Sequence, residues 1–342
     1  MRGAFAFAIY AALTVAAAAQ DGSGLGVPVW NPAFISQTAI GSTARGSVHR
    51  AATCPNGVTV VTHSTGDITV VDGQGRLQRA TPPAAELLNV QGVSCDQQNR
   101  IYLSVLSDVR TGLIRMYQAD GRGSLSLQQT IQSTGSRFFT AAGQGQLYVV
   151  GLAKTGGNYY ALLHYNLADG SLVGPVDLGI NLRVGTGFND FLVNGSILWH
   201  PQRQQFIYIA ANPFAFWCFN PDGTLAGMAR PSASHHRTAD ISSLLQLRQA
   251  GPLGFMSYDW VYRAAVLPDG RIAVQIKNGR NYANSGAEHV EIFDAKFNLL
   301  AEVAQPSPGT LTGADSSGNL YFSYLNESGS FLNKMSLLNS GH

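Results

Sequence analysis

The chain has 342 residues and a formal charge of +2, with 12% charged residues against 45% hydrophobic ones. So even a balance gives no electrostatic footing for nucleic acid or an acidic membrane surface, while the apolar content is ample for a large core. Low charge together with 38 glycines and 14 prolines points to many short strands joined by tight turns.

Residues 1–19 have the layout of a signal peptide: Arg2, an apolar run from Ala4 to Val15, then the small residues Ala17, Ala18 and Ala19. Cleavage after Ala19 is expected, which makes the chain secreted or periplasmic. A retained anchor is the alternative reading. No other stretch is long and apolar enough to span a bilayer, so none is expected in the mature chain. Residues 20–30 are Gly-rich and read as flexible, and residues 31–342 read as a single domain. Within it, Asn31 to Ile40 forms one isolated strand.

A repeated phrase follows, clearest at Val266 to Ile276. There Pro268-Asp269-Gly270 makes a turn, and Ile272, Val274 and Ile276 alternate at period two. Related phrases turn at Pro55-Asn56-Gly57, Gly73-Gln74-Gly75, Asp120-Gly121, Gly143-Gln144-Gly145, Asp169-Gly170, Pro221-Asp222-Gly223 and Asp315 to Gly318. Together they delimit six imperfect repeats of four short antiparallel strands, the signature of an all-β, six-bladed β-propeller. The sixth repeat lacks its fourth strand, and the isolated N-terminal strand is the candidate to supply it and close the ring. Two stacked sandwiches, the other architecture considered, explain neither the regular repeat nor the orphan strand.

Two inter-repeat connections carry extra residues. Pro82 to Asn89 offers a helical turn, and the segment from Pro231 to Trp260 contains a short amphipathic pattern from Asp240 to Arg248. Both are expected over the same mouth of the central channel. Cys54 and Cys95 fall at matching places in adjacent repeats and are open to pairing. Cys218, inside Phe216-Trp217-Cys218-Phe219, reads as a small buried core residue.

Alignment of the inner strands puts Arg50, Gln91, Phe138, Ser196, Arg263 and Thr310 in one row near the mouth. Ala52, Val93, Thr140, Leu198, Ala265 and Thr312 follow two positions deeper. A planar guanidinium fork suits carboxylate or phosphate, so the row suggests a small polar or anionic ligand. The competing reading pairs the arginines with Asp190 or Asp259. Trp260, beside Asp259 and Tyr258, is the aromatic candidate for the mouth; Phe214 to Phe219, Trp199 and Trp217 read as core. Among the histidines, His49 and His200 fall on inner strands within reach of the axis. His235-His236 is a poor chelator alone, and His63, His164 and His289 read as structural.

The six Gly- and Asp-turned repeats resemble NHL-repeat and SMP-30/gluconolactonase-type propellers over most of the mature chain. The sharpest match is Asn194-Gly-Ser-Ile-Leu-Trp-His-Pro201 followed by Phe206-Ile-Tyr208. By that resemblance Asn194 is a ligand to a divalent metal, Ca or Zn, in a lactonase or related hydrolase. The resemblance breaks where the family carries a Glu and an Asp, since this chain has His49-Arg50 and Tyr262 there. The leading expectation is therefore a monomeric binding module with no cofactor and no chemistry. It would recognise a small ligand or a protein through Arg50, Gln91, Asp259, Trp260 and Arg263; the metal-dependent hydrolase is the alternative.

Overall fold

A computed structural model describes residues 24–41, 48–77, 89–106, 111–119, 124–134, 139–155, 158–178, 195–211, 213–238, 258–279, 288–304 and 309–337. Residues 1–19, read as a signal peptide, the helical patterns at 82–88 and 240–248, Phe138, Asp190 and Asn194 lie outside the described residues.

Six sheets are formed, as the repeat count predicts. Blade one is β3 (Val48–Thr53), β4 (Thr59–His63) and β5 (Ile68–Val71), with Leu77 bridging Val71 where a fourth strand would begin. Blade two is β6 (Val90–Cys95), β7 (Arg100–Leu106), β8 (Thr111–Ala119) and β9 (Leu125–Thr134). Blade three is β10 (Phe139–Gly143), β11 (Gln146–Thr155), β12 (Asn158–Asn166) and β13 (Leu172–Val176). Blade four is β14 (Gly195–His200), β15 (Gln205–Ala211), β16 (Phe214–Phe219) and β17 (Leu225–Ala229). Blade five is β18 (Trp260–Val266), β19 (Ile272–Lys277), β20 (Glu288–Phe293) and β21 (Leu299–Val303). Blade six is β22 (Thr310–Ala314), β23 (Asn319–Asn326) and β24 (Gly329–Ser336). The first strands of consecutive blades pack side by side, and β22 returns to β3, so the ring is closed.

The N-terminal strand β2 (Ala33–Gly41) pairs antiparallel with β24 and supplies the missing outer strand of blade six. The stretch 20–30, expected to be flexible, ends differently. Val29–Trp30 form β1, which lies parallel to β21 as a fifth strand on blade five. Trp30 is held there because Arg271 stacks on its ring at 5.0 Å and its carbonyl accepts from Ala304 N at 2.8 Å. The N-terminal segment thus straps the outer edges of the last two blades, covering backbone that would otherwise be unpaired.

The core is divided among the inter-blade interfaces, each filled by one apolar cluster. The aromatic run in β16 shows how. Ala215, Trp217 and Phe219 pack with blade three, while Phe214, Phe216 and Cys218 pack with blade five. Period-two alternation between two buried faces makes the whole run core, as the sequence suggested.

A recurring turn sets the hairpins. Asp72, Asp96, Asp294 and Asp315 each accept, through Oδ1, the amides two and four residues on. The residue before the second amide has positive φ, supplied by Gly75 and Gly318 in two turns and by Asn99 and Phe297 in the others. The Asp Oδ2 is met by the side chain four residues on: Arg76, Arg100, Asn298 or Asn319. Such local carboxylate–amide closure competes with strand extension and fixes the register of the hairpin it ends.

Candidate functional site

Each inner strand starts at one face of the ring, where the strands line a cavity of ≈ 350 Å³. Deeper along the axis the channel narrows to ≈ 120 Å³. Ala52, Val93, Thr140, Leu198, Ala265 and Thr312, the row expected in the throat, all line this narrow part. Hydroxyls link its wall: Thr53 Oγ1 lies 2.8 Å from both Thr59 Oγ1 and Thr312 Oγ1, and the second contact joins the first blade to the last.

The wider cavity holds Arg50, Gln91, Trp260, Arg263 and Thr310 from the sequence-derived set. Ser196 lines the throat instead, and Phe139, next to the Phe138 of the expected row, faces the mouth. The reason lies in the register. Single-residue bulges interrupt three inner strands at the same level, leaving His49, Gln91 and Tyr262 without a partner on the second strand. A bulge re-aims side chains at a sheet end, and all three of these residues line the cavity. Arg50 and Arg263 follow their bulges directly, whereas Gln91 is itself a bulge residue, so turn-based alignment placed it one position out. The same slip separates the cysteines. Counted from the hairpins, Cys95 stands level with Thr53 rather than with Cys54. The two cysteines nevertheless bond, with Cα atoms 5.1 Å apart, and so staple blade one to blade two.

Arg50 is positioned by backbone. Its Nε donates to Gln91 O at 3.0 Å and its Nη1 to His49 O at 2.8 Å. The other donors of its fork have no partner among the described residues. The guanidinium of Arg263 lies over Phe139 at 4.4 Å and makes no hydrogen bond or ion pair among the described residues. Burial and then the Arg50 charge push the pKa of Arg263 down. Burial does the same to Arg50. A guanidinium holds its proton well past neutrality, so this pressure acts as attraction for an anion rather than as loss of charge. The His49 pKa is also pushed down, by burial and then by the Arg50 charge.

Asp259 lies away from the cavity, contrary to the expectation from sequence. It does not face the arginines: it is 0% exposed and accepts Arg237 N (2.8 Å), Asn278 Nδ2 (3.0 Å) and Gly279 N (2.8 Å). One step along an extended chain from Trp260, its side chain points the other way. There it ties the blade-four-to-five connection to the end of β19. His200 is likewise structural: its Nε2 donates to Gly270 O at 2.9 Å and its Nδ1 accepts from Arg203 N at 3.3 Å. Phe139 and Tyr262 were not offered for the site by the sequence, and His49, read only as within reach of the axis, joins them on the cavity wall. Tyr262 and His49 had a signal, since Tyr262 and His49-Arg50 stand where the resembling family carries an Asp and a Glu.

The cavity is thus cationic, walled by Phe139, Trp260 and Tyr262, and lined by no carboxylate among the described residues. Hard divalent cations need oxygen ligands, usually carboxylates, and two guanidiniums are the reverse of that. No protein-family model matches the chain, and no match was found among curated proteins. Solved structures do resemble it. The β-propeller domain of Cps50 (Swd1) from Myceliophteria thermophila superposes with a TM-score of 0.50 at 9% identity, over 89% of this chain and 99% of that one. U3-55K gives 0.48 at 12% identity, over 85% and 78%. At these identities the likeness to the Cps50 domain is one of fold: the chain is built as a β-propeller.

Proposed function

We propose that the channel mouth binds a small anion, a carboxylate or phosphate borne on a flat or apolar body, in a secreted or periplasmic protein acting as a monomer without chemistry of its own. The observation that carries this reading is that Arg50 and Arg263 both open onto one cavity while no carboxylate lines it among the described residues. An anion there receives charge-assisted hydrogen bonds from a fork held by the backbone. The aromatic wall of Phe139, Trp260 and Tyr262 takes the apolar part. The volume sits at the small end of the range for ligand pockets, roughly 300–1,000 Å³. The Cys54–Cys95 bond and the apolar N-terminal run support an oxidising compartment. Kinship with NHL-repeat and SMP-30-type propellers is part of the proposal only through the Asp- and Gly-bearing turns. The two arginines replace what a metal-binding mouth of that type would need.

The test is calorimetry on the mature chain with benzoate, citrate, inorganic phosphate and sulfate, beside neutral benzamide, with Trp260 fluorescence as a second readout. Saturable binding of at least one anion and none of benzamide is expected, weakening in Arg50→Ala and Arg263→Ala. Binding that persists in both variants would overturn the assignment of the site.

A further inference from the structure

A second cluster lies outside the channel mouth. His235 is on the connection between blades four and five, His289 is on β20 and Glu302 is on β21. One ligand atom from each lies within 4.8 Å of the others. The two imidazoles stack with centroids 3.8 Å apart, and His235 Nε2 meets Glu302 Oε1. The site is largely sheltered, the His235 and Glu302 side chains being 14% and 13% exposed.

The surroundings orient these groups as ligands. The Asn278 amide is fixed because its Nδ2 donates to His235 O at 2.8 Å and to Asp259 Oδ2 at 3.0 Å. Its Oδ1 is therefore an acceptor, and His289 Nε2, 3.0 Å away, must carry the ring proton. That leaves the Nδ1 lone pair of His289 unused, with no partner among the described residues. A histidine whose second nitrogen is tied to an oxygen acceptor is the usual arrangement of a metal ligand. The His235 segment is pinned in turn. The Glu291 carboxylate accepts Ser234 Oγ–H at 2.6 Å and the His235 backbone N–H. Glu302 is fixed through its own backbone, which donates to Pro28 O at 3.0 Å. An ion pair accounts for His235 with Glu302, but not for a second imidazole stacked alongside with a free lone pair.

We propose that His235, His289 and Glu302 bind one divalent transition ion of the zinc class, with water completing its coordination. Two imidazoles and one carboxylate suit Zn²⁺, whereas Ca²⁺ and Mg²⁺ prefer all-oxygen sets. Zinc bonds of about 2.0–2.1 Å set tetrahedral ligand atoms roughly 3.4 Å apart, so small side-chain rotations close the site. The ion clamps the blade-four-to-five connection to the outer half of blade five, whose last strand also carries β1.

The experiment is titration of the chelator-treated mature chain with Zn²⁺, Co²⁺ and Ca²⁺, followed by calorimetry, cobalt absorption and melting temperature. One Zn²⁺ per chain, a visible cobalt band, a raised melting temperature with Zn²⁺ and no Ca²⁺ binding are expected. His289→Ala and Glu302→Gln should each weaken Zn²⁺ binding about tenfold or more, and Asn278→Ala about 10–100-fold by freeing the His289 ring. Failure of the wild-type chain to bind Zn²⁺, or unchanged affinity in Glu302→Gln, would overturn the proposal even where His289→Ala does not fold. Arg263→Met should leave Zn²⁺ binding unaltered, which separates this site from the channel mouth.

Discussion

The guanidinium of Arg263 on blade five lies 4.4 Å from the ring centroid of Phe139 on blade three. Blade four stands between them and contributes Gly195 to the same cavity, with no side chain to fill the gap. A Cβ at Gly195 would meet Ile209 O at 2.4 Å, so the second strand of blade four keeps that position bare. The cation is thereby held over an aromatic face.

Replacing Arg263 tests whether the proposed anion site would rest on this geometry or on mere charge. Arg263→Lys keeps the charge but loses the planar fork and the stack. A lost charge-assisted hydrogen bond is worth about 1.5–3 kcal/mol, so affinity for the best-binding anion should fall roughly 10- to 100-fold. Arg263→Met should abolish binding yet raise the melting temperature, because a buried charge beside Arg50 is relieved. Calorimetry and thermal melts on the same preparations decide both points. A Lys variant with full affinity would reduce the site to a diffuse positive field.

The fold was legible because each of its signals is local. Turns such as Pro268-Asp269-Gly270 and period-two runs such as Ile272, Val274 and Ile276 are written within a few residues, and the orphan strand, read at 31–40 and formed at 33–41, was assigned by counting strands. The throat row lines the narrow part of the channel as read, but its register slips at Val93, which stands level with Ala51, and at Thr312, a bulge residue of β22. At the mouth the reading failed by single residues. Bulges at His49, Gln91 and Tyr262 insert one residue ahead of the regular strand and leave no mark in the alternation. Asp259 was misplaced because its partners, Asn278 and Gly279, are distant in sequence. The cluster of His235, His289 and Glu302 was invisible for the same reason: His289 read as structural, and His235 only as half of a poor chelating pair with His236.

The Cys54–Cys95 bond closes a loop with a sequence separation of 41. On the loop-entropy account such a closure stabilises by about 4 kcal/mol. Denaturant unfolding of the Cys54→Ala/Cys95→Ala double variant should show a loss of that order, and a reducing agent should destabilise the wild-type chain but not the variant. Equal stability with and without reductant would show that the two thiols do not pair in solution.

His236 gives the protein an acid limit. It is 6% exposed and stacked on Phe214 at 4.4 Å, and neither ring nitrogen has a hydrogen-bond partner among the described residues. Burial pushes its pKa down to about 3. The native state therefore excludes a proton that the unfolded chain takes up near 6.5. Stability is fully present above that pH and is lost as pH falls from 6.5 toward 3. His289, pushed down to about 4 by burial and then the neighbouring His235, acts in the same direction. His236→Leu removes a polar ring that finds no partner and should flatten this limb. The gain in melting temperature over wild type should be larger at pH 4.5 than at pH 7.5. A constant difference at both values would assign the acid limit to other groups.

The sharpest prediction about architecture concerns Ile40. It is 1% exposed and packs with Ala51, Val61, Val71, Tyr321 and Leu332, at the seam where the sixth blade meets the first. The outer strand of blade six at this seam comes from the opposite end of the chain, so its packing must hold without a covalent connection between β2 and β24. Ile40→Ala removes buried methyl groups there and should cost about 2–5 kcal/mol, read from denaturant melts. Deleting residues 20–41 goes further, because it removes both β1 and β2 and leaves β24 and β21 as bare edges. That variant should yield no folded monomer and should elute as aggregate in gel filtration. Deleting 20–31 strips β1 alone and should leave a folded ring with a lowered melting temperature. A folded, monomeric 20–41 deletion would show that the ring closes by β22 against β3 without its strap.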